Sequence, residues 1–339
     1  MTTSSTDYDN REDYEHTFID ALDNSTKIPP TAPSICKDVL CVFLATVGVI
    51  IFILGIVGNS LVIYIAGFKI KKSVNTSWYL SLAVSDFLFC AFLPLNIVYL
   101  VQKVWLFGRF MCKFTSFILL LNMFSSIFLL VIISVDRCVV VMFPVWAQNK
   151  RSLGKASVVI ALAWILSAAL SSPAAVFREV SEPHQKCHYD YSEKQHIVMV
   201  ISRFTFGFVI PFLVISACYV VIIRKLRSNQ MARSTKPFKV MTLLIVVFFL
   251  CWLPYHIFNL MELIETHRDI LHIVIPIGTT LVSSASFLNP FLYAFMGKDF
   301  KKKCYAILSK IENAIEEEDR SSARGTSFTN TGGKYSTIV

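Results

Sequence analysis

At 339 residues, 55% hydrophobic and only 16% charged, with a mean hydropathy of +0.59, the chain falls outside the range of a soluble globular domain. Its net charge of +9 is scattered through short loops rather than gathered on one face, so no nucleic acid is expected as a partner. The expected surroundings are a lipid bilayer.

A bilayer core takes about 20 apolar residues per helix, and seven runs of that order follow one another at 39–67, 75–101, 110–141, 155–177, 196–224, 238–264 and 270–296. The expected fold is all-α, a seven-transmembrane-helix bundle occupying 39–297. A polar tail precedes it at 1–38, a short amphipathic eighth helix follows at 298–311, and a regulatory tail closes the chain at 312–339. The connections between spans are mostly too short to hold further domains.

In chain order, the first 38 residues carry eight acids against Arg11, Lys27 and Lys37 and read as an acidic, disordered tail. Tyr8 and Tyr14 sit among those acids, the setting favoured by tyrosine sulfation, and Asn24-Ser25-Thr26 is a glycosylation acceptor. No cleavable signal precedes the first span, so that span is expected to direct its own insertion. Basic residues then mark alternate loops: Lys69, Lys71 and Lys72, then Lys150, Arg151 and Lys155, then Arg224 to Lys239, and finally Lys301 to Lys303. Short loops rich in Lys and Arg stay in the cytoplasm. The chain is therefore expected in the plasma membrane as a multi-pass protein with its N-terminus outside and its C-terminus inside. Cys112 and Cys187 fall on the outer side, either meeting as a disulfide or remaining two free thiols, while Cys36 has no evident partner.

Polar groups inside hydrocarbon need partners, so each marks a candidate site. Asn59, Asp86, Asn122, Ser126, Ser286 and Asn289 lie near the middle or inner half of their spans, and Asp136-Arg137 interrupts the apolar run "IFLLVIISVDRCVVVMF". Asp86 either stays neutral or hydrogen-bonded as a structural residue or holds a cation, for which sodium is the abundant candidate. Prolines 94, 173, 211, 254, 276 and 290 each remove a backbone hydrogen bond and offer a bend.

The ordered set Asn59, Asp86, Asp136-Arg137-Cys138, Trp164, Pro211 with Tyr219, Trp252 with Pro254, and Asn289-Pro290-Phe291-Leu292-Tyr293 resembles the rhodopsin-like G protein-coupled receptors over roughly residues 39–310. That resemblance implies signalling rather than catalysis, so no enzyme is expected. It also implies a disulfide between Cys112 and Cys187, an eighth helix in "FKKKCYAILSK" with Cys304 a palmitoylation candidate, and no cofactor beyond an allosteric sodium ion held by Asp86, Asn122, Ser126 and Asn289. By the same analogy Asp136 holds Arg137 at rest, and activation frees Arg137 to meet a heterotrimeric G protein while Tyr219, Trp252, Pro254, Asn289, Pro290 and Tyr293 rearrange. Ala285 and Ser286 stand where many relatives have an Asn-Ser pair, which weakens the expected sodium shell.

Position by position, Ser283 replaces the retinal-binding lysine and Leu119 the amine-binding aspartate, which argues against an opsin and an amine receptor. Arg178 and Arg203 near the outer ends of the fourth and fifth spans suit a carboxylate, because an unpaired guanidinium there is costly. Both match the chemoattractant group of chemerin, formyl-peptide and anaphylatoxin receptors, and Glu262 fits its chemerin-receptor branch. The implied ligand is an extracellular chemerin-like peptide or protein whose C-terminal end enters the bundle, with a lipid-derived carboxylic acid, or an anaphylatoxin or formyl peptide, as the alternative. A transporter would need a polar path through the bundle, and the buried polar residues do not continue to the outer half. Relatives imply an inhibitory G protein, and the tail carries phosphorylation candidates Ser321, Ser322, Thr326, Ser327, Thr329 and Thr331 for arrestin.

Overall fold

The computed structural model describes residues 38–183, 185–228, 236–264 and 268–294, with three further positions at 303, 306 and 309. Among the described residues seven helices are long and apolar enough to cross a bilayer: Val39–Lys69, Val74–Gln102, Gly108–Met142, Leu153–Phe177, Glu193–Lys225, Thr242–Met261 and Ile273–Phe291. They correspond one for one to the expected runs and form a seven-helix bundle. The expected eighth helix falls almost entirely outside the described residues.

The third span is the axis. Its most apolar stretch is 67% buried, against 17% for the fourth span and no more than 33% for any other. Met123, Phe124, Ile127 and Leu129 on it pack with Leu82, Leu244, Phe248 and Trp252. The other spans turn large apolar side chains outward, Phe43, Leu162, Leu213 and Leu250 among them, as lipid contact requires. Between helices in lipid, association rests on close packing rather than on escape from water. At Gly55 an added Cβ would sit 2.5 Å from Cys90 Sγ, and at Gly58 one would sit 3.0 Å from Pro290. These glycines let the first span approach the second and the seventh.

Local chemistry sets the ends of the spans. Ser73 caps the second span by accepting the Thr76 amide at 3.1 Å, and Ser152 caps the fourth through the Lys155 amide. Gln195 Oε1 accepts the Ser192 amide at 3.0 Å where the fifth span begins. Pro144 opens a short helix, Pro144–Lys150, that links the third and fourth spans.

Three features differ from a plain reading of seven helices. The first span closes on a π-helical turn, Ile65–Lys69. The fifth span contains another at Thr205–Val209. Pro211 lies two residues beyond it; its ring cannot face a normal Gly207 carbonyl, and the wider turn relieves that clash. Finally, the connection after the fourth span forms an antiparallel hairpin, β1 (Arg178–Ser181) with β2 (Lys186–Tyr189), register Val180 opposite Cys187.

Candidate functional site

Three polar centres lie along the bundle. At the hairpin end, a disulfide joins Cys112 to Cys187 with the Cα atoms 5.8 Å apart, pinning β2 to the third span. The Trp105 amide donates to Gln185 O at 2.7 Å. Both contacts hold the hairpin over a cavity of ≈ 490 Å³.

That cavity has an apolar floor and a basic rim. Phe89, Leu93, Leu119 and Ile275 line it, as do Lys103, Arg178 and Lys186, and no carboxylate is among the described lining residues. Arg178 ends the fourth span and begins β1. Its Nε donates to Ser116 Oγ at 2.9 Å, and its guanidinium lies 4.0 Å from the Tyr189 ring centre. Arg203 is 5% exposed and does not line the cavity. It donates to the Tyr191 hydroxyl at 2.7 Å and reaches the same Tyr189 ring at 5.1 Å. The two arginines therefore meet across Tyr189, which stacks on Tyr191 at 4.7 Å. Burial raises the Tyr191 phenol above its ordinary range, and the neighbouring Tyr189 adds to that, so Tyr191 faces Arg203 neutral.

Glu179 and Glu262 lie at this end outside the cavity lining. Glu179 accepts from Arg109 and Lys113 at 2.7 Å each. The Arg109 hydrogen bond, then that of Lys113, pushes its carboxyl down to about 2. Glu262 is exposed, outside the cavity lining, and lies 3.7 Å from His196 Nε2. Ser283 and Leu119, the positions that argue against an opsin and an amine receptor, both line the cavity.

Mid-bundle, Asp86 accepts from Asn122 Nδ2 at 3.0 Å and from Asn289 Nδ2 at 2.7 Å. Ser286 Oγ donates to Asn122 Oδ1 at 3.3 Å, and Asn59 Nδ2 donates to Ser286 O at 3.0 Å. The expected polar residues thus converge from the first, second, third and seventh spans. Ser126 is the exception, since its buried hydroxyl has no hydrogen-bond partner. Its neighbour Ser125 makes the contact instead, 2.6 Å from Ser85 Oγ, and neither Ser85 nor Ser125 stands out in sequence. As a sodium site the chemistry fits in part. The Asp86 carboxylate and the free Ser126 hydroxyl are suitable oxygens, whereas the two asparagines present N–H groups to Asp86.

Above this cluster Trp252 is 1% exposed, stacked with Phe248 at 5.7 Å and edge-on to Tyr255 at 5.5 Å. Pro254 lies in the same helix, two residues beyond. At the opposite end from the hairpin, Arg137 Nη2 donates to Asp136 Oδ2 at 2.9 Å. Arg151 grips both oxygens of that carboxylate, at 2.7 and 2.9 Å, and Asn75 Oδ1 accepts from both arginines. Tyr219 accepts from Thr242 Oγ1 at 3.2 Å, joining the fifth and sixth spans. Pro290 is buried in the seventh span; the Tyr293 side chain lies outside the described residues. So do Tyr8, Tyr14, Asn24, Cys36, Cys304 and the serines and threonines from Ser321 to Thr331.

Residues 58–293 match the model of the family described as 7 transmembrane receptor (rhodopsin family). The chain belongs to that family. It is accordingly a receptor and not an enzyme. Among curated proteins it is 42% identical to human Chemerin-like receptor 1 over 336 residues, covering 92% of this chain and 90% of the relative. It is also 42% identical to the C3a anaphylatoxin chemotactic receptor of Danio rerio over 282 residues, 81% and 78% of the two chains. Formyl peptide receptor-related sequence 6 of Mus musculus is 38% identical over 301 residues, 83% and 88%. The chemoattractant group suggested by Arg178 and Arg203 is the group to which the chain is similar throughout.

Proposed function

We propose that this receptor takes an extracellular chemerin-like chemoattractant peptide or protein, whose C-terminal end enters the hairpin-end cavity with its carboxylate against Arg178. The observation that carries the reading is the cavity itself, whose described lining residues include Lys103, Arg178 and Lys186 over an apolar floor and no carboxylate. Arg203 contributes from behind Tyr189, and reaching the ligand directly requires Tyr191 to give up its bond. In this reading the hairpin end faces outside, in keeping with the basic loops at the other end. A sodium ion on Asp86 and Ser126, with Asn122 and Asn289 turning their amide oxygens to it, would favour rest.

Ligand contact passes through Trp252 to the sixth span, Arg137 leaves Asp136, and an inhibitory G protein docks there. Phosphorylation of the tail then recruits arrestin. The test compares a peptide free acid with its amide in cyclic AMP suppression. Amidation should weaken potency by about 100-fold, equivalent to about 2.7 kcal/mol for a lost charged hydrogen-bond pair; equal potency would remove the carboxylate clamp. A second reading, a receptor for a lipid-derived carboxylic acid, draws on the apolar lining by Phe89, Leu93, Leu119 and Ile275. It predicts responses to a fatty acid derivative alone, again lost when the acid is converted to an amide.

A further inference from the structure

The carboxylate of Asp136 has two guanidinium partners, and they hold it differently. Arg151 approaches side-on, Nε to Oδ1 at 2.7 Å and Nη2 to Oδ2 at 2.9 Å. Arg137 reaches it through a single Nη2 at 2.9 Å, on the oxygen that Arg151 also uses. The fork is the better-aligned contact, and it does not depend on Arg137. Arg151 is the C-cap residue of the short helix Pro144–Lys150, and Ser152, the N-cap of the fourth span, follows it directly.

The surroundings are shielded, with side chains of Asp136 and Arg137 only 13% and 15% exposed and that of Arg151 25%. Asn75 and Tyr79 face the cluster from the second span. A guanidinium can part from a shielded carboxylate at low cost only if the carboxylate keeps another partner.

We infer that Arg151 is a positioning residue for signalling: it keeps Asp136 charge-compensated when Arg137 departs. This rests on the reading above, in which Arg137 turns to the G protein. With Arg151 in place, Asp136 gives up the Arg137 bond on release, keeps both bonds from Arg151 and remains paired. Without Arg151, both carboxylate oxygens are open to Arg137, the Asp136–Arg137 pair tightens, and its opening leaves an unpaired charge. Arg151 thus eases the switch rather than restraining it, and its loss lowers signalling. A simple restraint on the resting state would act in the opposite sense.

The test is a double-mutant cycle on the full-length receptor in lipid nanodiscs, reading ligand-free nucleotide exchange on a purified inhibitory G protein. Arg151→Gln should lower exchange at least ~5-fold in the wild-type background and change it less than ~2-fold in the Asp136→Asn background, since interacting neighbours are non-additive. Arg151→Lys, which keeps the charge and loses the fork, should fall between wild type and Arg151→Gln. An equal fold-change in both backgrounds, or a rise in exchange with Arg151→Gln, overturns the inference. If Arg151→Gln does not fold, the same cycle with Arg151→Lys decides, its effect again vanishing beside Asp136→Asn. Arg137→Ala run alongside keeps the two levels apart: exchange retained there overturns the reading of Arg137 itself, and this inference with it.

Discussion

At one end of the bundle a carboxylate is saturated, with Asp136 held by Arg137 and Arg151 and Asn75 accepting from both arginines. At the other end Arg178, Lys103 and Lys186 line a cavity with no carboxylate among its described lining residues. One helical scaffold thus holds charge in two ways. A charge satisfied within the chain stores an arrangement that can be undone. Among the described lining residues the cavity offers cations and apolar surface together, a combination that suits an anionic group carried on an apolar body. Between the two ends, the Asp86 cluster ties four spans together through neutral amides and hydroxyls.

The comparison breaks most sharply at Arg137. Arg137→Ala should abolish G protein activation, at least ~100-fold below wild type at saturating ligand, while surface ligand binding persists. Arg178→Ala comes next. It should cost about 30- to 100-fold in potency for the free acid and much less for the amide, because a charged hydrogen bond is worth about 1.5–3 kcal/mol. Lys103→Gln with Lys186→Gln should cost only ~3- to 10-fold, and raising salt should shrink that loss further, since both lysines are exposed.

The smallest effect is expected at Glu179. Its carboxyl, held at about 2 by Arg109 and then Lys113, has a lowered value in the folded state. Its contribution is therefore present above the ordinary carboxylate range and lost only as pH falls through about 2. Potency titrated from pH 8 to pH 5 should show no change assignable to Glu179, which the Glu179→Gln variant checks directly.

Much of this site is visible in sequence because hydrocarbon makes polarity conspicuous. Asp86, Asn122 and Asn289 announce themselves inside apolar runs, and the structure brings all three together. Asp136-Arg137 does so too. The same contrast fails where polar residues are ordinary. Arg151, Asn75, Lys103 and Lys186 lie in or beside loops, where charge marks the side of the membrane but points to no particular partner. Tyr189 and Tyr191 look like unremarkable aromatics until the hairpin places them against two arginines. Ser125 and Ser126 are adjacent and both buried, and only the facing of the third span decides that Ser125 meets Ser85 while Ser126 finds no hydrogen-bond partner among the described residues.

The sequence by itself determined the seven spans, their order and the polar residues within them, since a bilayer demands apolar length and punishes each uncompensated polar group. Only the tertiary structure decided which charges share a partner: Arg151 is 15 residues from Asp136, and Asn75 is 62 from Arg137. Those contacts depend on helix rotation and loop path, which no local pattern records. The hairpin path, fixed by the Cys112–Cys187 disulfide and the Trp105–Gln185 bond, likewise decided that Arg178 opens to the cavity while Arg203 stays behind Tyr189.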